Sequence, residues 1–156
     1  MNWNPLKEED EKNAWHFIYE VLLFSPYNTE KVGFPNLPSV KFDISKYCNE
    51  GFQEKYFDDL HSKAIHALKE IAGNNLIFAL NFQHQSYSFN PNLPFEKDEF
   101  GEWFIPFFPN GDNVFFFTTD FKNGAFCDGL KEEIFLFGEN IIAAFEKNQP
   151  LIFTID

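Results

Sequence analysis

The residues best suited to chemistry in this chain lie around His84, which is the histidine that falls in a strand-like segment. His84 follows Gln83 in a stretch where polar side chains interrupt an otherwise apolar run. Two hypotheses remain open for it: a hydrogen-bonded histidine at a strand bend, or a residue that lines a ligand cleft. In the second hypothesis Gln83, His84, Tyr87 and Asp120 form the cleft, which requires their polar groups to converge in a concave pocket.

The other reactive side chains form no recognisable catalytic or metal-binding pattern. His61 and His66 are five residues apart, which places them about 140° apart around a helix axis and not on one face. Ser86, Ser88 and Cys127 lie in no nucleophile elbow and beside no paired base. Neighbouring carboxylates are expected at the surface of so acidic a chain, and no glycine-rich phosphate loop is present. We therefore expect no cofactor and no metal, and the sequence does not argue for catalysis.

The charge of the chain restricts its partners. Its 156 residues contain 24 acidic and 12 basic residues, for a net charge of -12, and all 12 basic residues are lysine. Nucleic-acid-binding proteins present a basic face to phosphates, so this function class is excluded. The absence of arginine also excludes a bidentate guanidinium clamp for phosphate or carboxylate.

The N-terminus and the cysteines indicate a cytoplasmic protein. The first 15 residues are acidic and lack the basic and apolar regions of a signal peptide. No window approaches the roughly 18 apolar residues of a membrane span. Cys48 and Cys127 match no metal or redox spacing, and we expect two free, buried thiols in a reducing compartment.

Hydrophobic periodicity predicts three helices, over 6–24, 50–72 and 139–147. A period of two predicts strands in KFDIS, WFIPFF, NVFFFTTDF, AFC and EEIFLFG. The segment 75–89 is predicted as one bent strand or as a hairpin that turns near 83–85. LIFTID is predicted as an edge strand or a docked tail. The Asn-Gly pair between WFIPFF and NVFFFTTDF predicts a hairpin. The order favours one α+β domain over 1–156, with a mainly antiparallel sheet of about five to six strands and about three helices.

The 23 phenylalanines allow two interpretations. In the first they fill the core, because each ring buries a large area. In the second some of the rings form an exposed partner surface on one sheet face. The candidates for that surface are Trp103, Phe107, Phe108, Phe115 and Phe117.

Several segments together resemble an uncharacterised bacterial family of unknown function. They are PNLPSVKFDIS, ALNFQHQSYSFNP and WFIPFFPNGDNVFFFTTDFKNGAFCDGLKEEIFLFGENII, which cover roughly residues 36–145. The family pattern marks Gln83, His84, Tyr87, Gly111, Asp112, Asp120, Gly124 and Gly138. Where the family has Gly-x-Phe-Gly-His-Pro-Trp, this chain has Gly124 to Leu130 without the histidine, so a function of that histidine is absent here. The resemblance implies an α+β fold and no established activity.

Small acidic proteins of this kind also resemble immunity proteins of bacterial toxin systems. This resemblance implies a protein that neutralises a cationic toxin domain, such as a nuclease of a contact-dependent inhibition system, with an acidic surface that carries aromatic anchors. The expected partner is thus a basic protein, with no nucleic acid and no membrane. The candidate partner-binding residues are Asp98, Glu99, Glu102, Trp103, Asp112, Asp120 and Asp128.

Overall fold

The computed structural model describes residues 2–26, 32, 37–49, 54–97, 99, 101, 103–108 and 111–153. The elements, in chain order, are β1 (Asn4–Pro5), α1 (Glu8–Glu20), β2 (Ser39–Asp43), α2 (Ser45–Asn49), α3 (Glu54–Ala72), β3 (Ile77–Asn81), β4 (Tyr87–Phe89), β5 (Asn113–Thr118), β6 (Gly124–Asp128), β7 (Glu133–Phe137) and α4 (Glu139–Lys147).

The strands form one sheet in the order β1-β4-β3-β5-β6-β7-β2, and every neighbouring pair is antiparallel. The predicted α+β class is confirmed, with seven strands and four helices in the described part of the chain. The additional strand is β1, whose two residues are too few to give a periodic signal. The additional helix is α2, which the helix predicted over 50–72 does not include.

Both faces of the sheet are apolar, and helices cover both. Helix α1 packs on one face, which we call the α1 face, and α3 and α4 pack on the other. Along β5, Phe115 and Phe117 belong to the α1 face, whereas Val114 and Phe116 face α3 and α4. Near-continuous hydrophobic strands are expected where both faces of a sheet are buried.

This arrangement decides between the two interpretations of the aromatic residues. Trp103, Phe107, Phe115 and Phe117 are all buried, and Phe108 is half-buried. The expected exposed aromatic sheet face is therefore wrong for these residues, and they belong to the core. The reason is that helices cover both faces of the sheet, which is the middle of three layers.

The predicted hairpin between WFIPFF and NVFFFTTDF is also wrong. Residues 103–108 contain no strand, while β5 pairs with β3 on one side and β6 on the other. Because both edges of β5 are occupied, no edge remains for WFIPFF, and Pro106 has no N–H to donate to a ladder. Residues 109 and 110 of the predicted turn lie outside the described residues.

The segment 75–89 and the end of the chain each follow one of their two predicted alternatives. The segment 75–89 is a hairpin of β3 and β4, as one of the two alternatives predicted. The chain end is a docked tail as far as it is described, because Phe153 stacks on Phe42 with ring centroids 4.1 Å apart. Residues 154–156 lie outside the described residues.

Gly124 begins β6, between β5 and β7, at a position with no room for a side chain. A Cβ atom at this position would lie 2.3 Å from the Phe116 carbonyl oxygen and 2.6 Å from the Phe137 ring. These contacts involve backbone and a buried ring, which cannot move away without disturbing the sheet.

We therefore predict that Gly124→Ala lowers the free energy of unfolding by about 3 kcal/mol or more, because overpacking in a rigid core is costly. Gly73→Ala is the matched control. Gly73 has a left-handed φ of 58° but open space around its Cβ position, so a loss of only about 1 kcal/mol is expected. Urea denaturation of both variants measures the difference, and equal losses would contradict the close approach.

Candidate functional site

Buried polar side chains collect at one end of the sheet, which we call the polar end. Asn81 ends β3, Asn113 begins β5 and Asp128 ends β6. All three residues are buried. Asn81 Nδ2 donates to Asp112 Oδ2 at 3.2 Å, and His84 Nε2 lies 3.6 Å from the same oxygen. The structure thus brings His84 close to a carboxylate. That carboxylate belongs to Asp112 and not to Asp120, which the cleft hypothesis required.

The polar end also fixes the loops that leave it. The Gln83 N–H donates to Asn81 Oδ1, and the Gly129 N–H donates to Asn113 Oδ1. Asp128 Oδ1 accepts from the N–H groups of Leu130 and Lys131 at 3.0 and 3.1 Å. Such bonds satisfy polar groups that would otherwise be buried at a cost. The buried asparagine and aspartate side chains therefore hold the turns.

The four residues of the predicted cleft do not converge. Gln83 and His84 are exposed in the β3–β4 loop. Asp120 follows the opposite end of β5, about 20 Å away at the rise of an extended strand. Tyr87 packs against Trp3 and Phe104, at centroid distances of 6.1 and 5.6 Å.

Asp120 organises a turn at its own end of the sheet. Its Oδ1 accepts from the Thr118 hydroxyl at 2.7 Å and the Lys122 N–H at 3.0 Å. Burial raises the pKa of this carboxyl, but the hydrogen bonds from Lys122 and Thr118 outweigh burial and hold the pKa below its ordinary value. Asp120 therefore stays ionised and stabilises the β5–β6 connection.

The predicted partner-binding residues do not form one face. Asp112 and Asp128 belong to the polar end, whereas Asp120 lies at the opposite end of the sheet. Glu99 is exposed. Trp103 is 4% exposed and packs on Phe95 and His61, so it is not a surface anchor. Asp98 and Glu102 lie outside the described residues.

His61 has a role that the sequence did not indicate. It is buried in α3, and the Phe107 N–H donates to its Nε2 at 3.0 Å. Its Nδ1 therefore carries the proton and donates to the Phe57 carbonyl at 2.9 Å. Burial lowers the pKa of His61 to about 4. A neutral imidazole thus joins α3 to the segment 103–108.

A hollow of about 330 Å³, which we call the charged hollow, opens beside the polar end. It is lined by Val32, Lys41, Phe126, Asp128, Lys131, Glu133 and Phe135. Lys41 Nζ lies 3.3 Å from Glu133 Oε2. The sequence could not reveal this pair, because it depends on the pairing of β2 with β7, which are far apart in the chain.

Three carboxylates border this part of the sheet. Asp128 and Glu133 are directly opposite on β6 and β7, and Glu133 is opposite Asp43 on β2. Directly opposite residues share a sheet face, with Cα atoms about 4.5–5.5 Å apart. Hydrogen bonds from the Ser45 hydroxyl and N–H lower the pKa of Asp43, so its carboxylate stays charged.

The two thiols are unsuited to nucleophilic chemistry. Burial and the neighbouring Glu132 raise the pKa of Cys48 to about 12, and burial raises the pKa of Cys127 well above its ordinary value. Both cysteines are free. In the described part of the chain, no three His, Cys, Asp or Glu side chains group as metal ligands. None of its helices is long and apolar enough to cross a membrane.

Comparisons with known proteins identify relatives without an assigned function. A family model described as "Protein of unknown function (DUF2716)" matches residues 5–142. The chain is 34% identical over 158 residues to "Uncharacterized protein YxiI" of Bacillus subtilis (strain 168), and the match covers 98% of each chain. No solved structure matches. The resemblance to an uncharacterised bacterial family is thereby confirmed.

We predict a pH-dependent stability that originates at His61. Its pKa is lowered from 6.5 to about 4 in the folded state, so the unfolded chain binds more protons between these values. His61 therefore contributes about 3 kcal/mol to the free energy of unfolding above pH 6.5, and this contribution is lost as the pH falls through 4. His61→Gln should flatten the dependence of unfolding free energy on pH in this window, as measured by urea denaturation at a series of pH values. An unchanged slope in this variant would refute this role for His61.

Proposed function

The chain belongs to the DUF2716 family of proteins of unknown function, and we propose that it is an immunity protein. In this proposal it binds and neutralises a cationic toxin domain, such as a nuclease of a contact-dependent inhibition system. The proposal concerns a binding protein and not an enzyme.

The observation that carries the proposal is that three large apolar side chains at and just after the end of α1 are exposed. Tyr19, Val21 and Leu23 are 42%, 42% and 54% exposed. We call these three residues the α1 patch. Apolar anchors surrounded by polar residues are typical of protein interfaces, in which a few such residues contribute most of the binding energy. The α1 patch replaces Trp103, which is buried, as the source of anchors.

The backbone of Leu23 supports a functional role for this side chain. Its φ is 57°, in the left-handed region that a leucine adopts only at a cost of roughly 1–2 kcal/mol. Helices commonly end with glycine at such a position. Here the leucine side chain is exposed and contributes little to the core, so stability does not explain its presence. Backbone strain of this kind is concentrated at functional sites.

The charge of helix α1 suits a basic partner. The helix contains five acidic residues and one lysine, and four of the acids lie in its first turn. Glu20 is exposed beside the α1 patch, and Glu8 and Glu9 are exposed at the other end of the helix. Opposite charge accelerates the association of two proteins and aligns them before contact. A nuclease has a basic surface for phosphates, and carboxylates on an inhibitor can occupy that surface.

We predict that Leu23→Gly separates binding from folding. Relief of the left-handed strain should leave the free energy of unfolding unchanged or raise it by up to about 1 kcal/mol. Partner binding should weaken by about tenfold or more, because a central anchor is lost. Chemical denaturation measures the first effect. The second is measured by affinity capture of a basic protein from the native cell, followed by quantitative binding of the purified partner.

The control variant is Leu151→Gly, which removes another exposed leucine, 58% exposed, and should leave capture unchanged. The captured protein must also inhibit growth when expressed alone and lose that effect when co-expressed with this chain. Capture of no basic protein, or a captured protein that does not affect growth, would refute the immunity proposal.

A further inference from the structure

The charged hollow combines an aromatic floor with charges of both signs. Phe126 is buried and Phe135 half-buried, and both lie on the α1 face of the sheet. The described lining includes no residue of α1, so the helix leaves this part of the face open. Asp128, Glu133, Lys41 and Lys131 supply the charges.

The negative charges of the hollow are more deeply buried than the positive charges, which lie toward solvent. Asp128 is 3% exposed, and two backbone N–H groups donate to its carboxylate. The Glu133 side chain is 17% exposed, against 57% for Lys41. Lys131 is exposed as well. The lysine side chains can therefore turn into solvent at little cost, which leaves the carboxylates of Asp128 and Glu133 as the charges of the hollow.

The phenylalanine rings favour the same sign of ligand. Aromatic ring faces carry negative potential and attract cations, most often the planar guanidinium group of arginine. At present the Lys41 ammonium group lies 3.3 Å from the Glu133 carboxylate and acts as an internal counter-ion. A guanidinium group can bind a carboxylate with two hydrogen bonds and is more weakly hydrated than ammonium. The chain itself has no arginine to supply.

We propose that the charged hollow receives an arginine side chain of the basic partner. The guanidinium group stacks on Phe135 and pairs with Glu133, and Lys41 is displaced into solvent. This inference rests on the proposed function for the source of the arginine. The site itself, however, can be tested without the partner.

The test uses N-acetyl-arginine amide as the probe, with binding followed by chemical shifts in the ¹⁵N-labelled full chain. We expect saturable shifts at the amides of Lys131, Glu133 and Phe135. N-acetyl-norleucine amide is the neutral probe of similar length and should bind at least about tenfold more weakly, because it cannot pair with the carboxylate. Equal binding of both probes, or shifts confined to other regions, would overturn the proposal.

Two variants with opposite expected effects make the test specific. Glu133→Gln should weaken binding of the arginine probe about tenfold, because it removes the carboxylate partner. Lys41→Met should tighten binding about fivefold, because it removes the competing counter-ion. The matched controls are Glu139→Gln and Lys122→Met, which make the same charge changes at exposed positions at the opposite end of the sheet and should change binding little. Lys41→Met that weakens binding or leaves it unchanged would refute the displacement of Lys41.

The outcomes separate this inference from the immunity proposal. Probe binding at the hollow without any captured basic partner would support the arginine site and refute the proposed function. A captured basic partner that inhibits growth and is neutralised by this chain, without probe binding at the hollow, would support the proposed function and refute the arginine site.

Discussion

The size difference between the two faces of the sheet is the constraint on which the rest of this structure depends. The α1 face presents large rings, among them Phe115 and Phe126, which stack with centroids 4.6 Å apart. The opposite face combines the small side chains of Ala79, Ala125 and Cys127 with larger ones, among them Phe89 and Phe116. Small residues allow two helices, α3 and α4, to pack closely on one face. Large rings fill the other face, so that a single helix is enough to cover most of it.

This asymmetry also decides where function can be located. Because helices bury most of both faces, polar chemistry is restricted to the ends of the strands, the outer surface of α1 and the part of the α1 face beyond the helix. The buried polar groups at the polar end serve the turns, and their hydrogen bonds account for residues that the family pattern marks, such as Asp112. The charged hollow lies where α1 no longer covers the rings. Phe135 and Glu133 are only half-buried there, whereas Phe126 and Asp128 are buried.

The sequence predicted the elements more accurately than their arrangement. The helix over 139–147 and the strands around AFC and EEIFLFG follow from hydrophobic periodicity and turn residues, which are local properties. The WFIPFF hairpin was wrong because Asn-Gly is a local turn signal, whereas the partners of β5 depend on competition among all strands. His61 escaped notice for a related reason. Its hydrogen-bond partner Phe107 lies 46 residues away, and only packing brings the two together.

The sequence alone determined the acidic charge, the absence of arginine, the α+β class and the family, because composition, periodicity and motif order require no contacts. Only the tertiary structure decided which aromatic residues are buried, since strand alternation does not tell whether a second layer covers a face. It also separated Asp120 from His84 and brought Lys41 to Glu133. Those distances depend on strand order and register. Both result from the packing of the whole sheet between its helices.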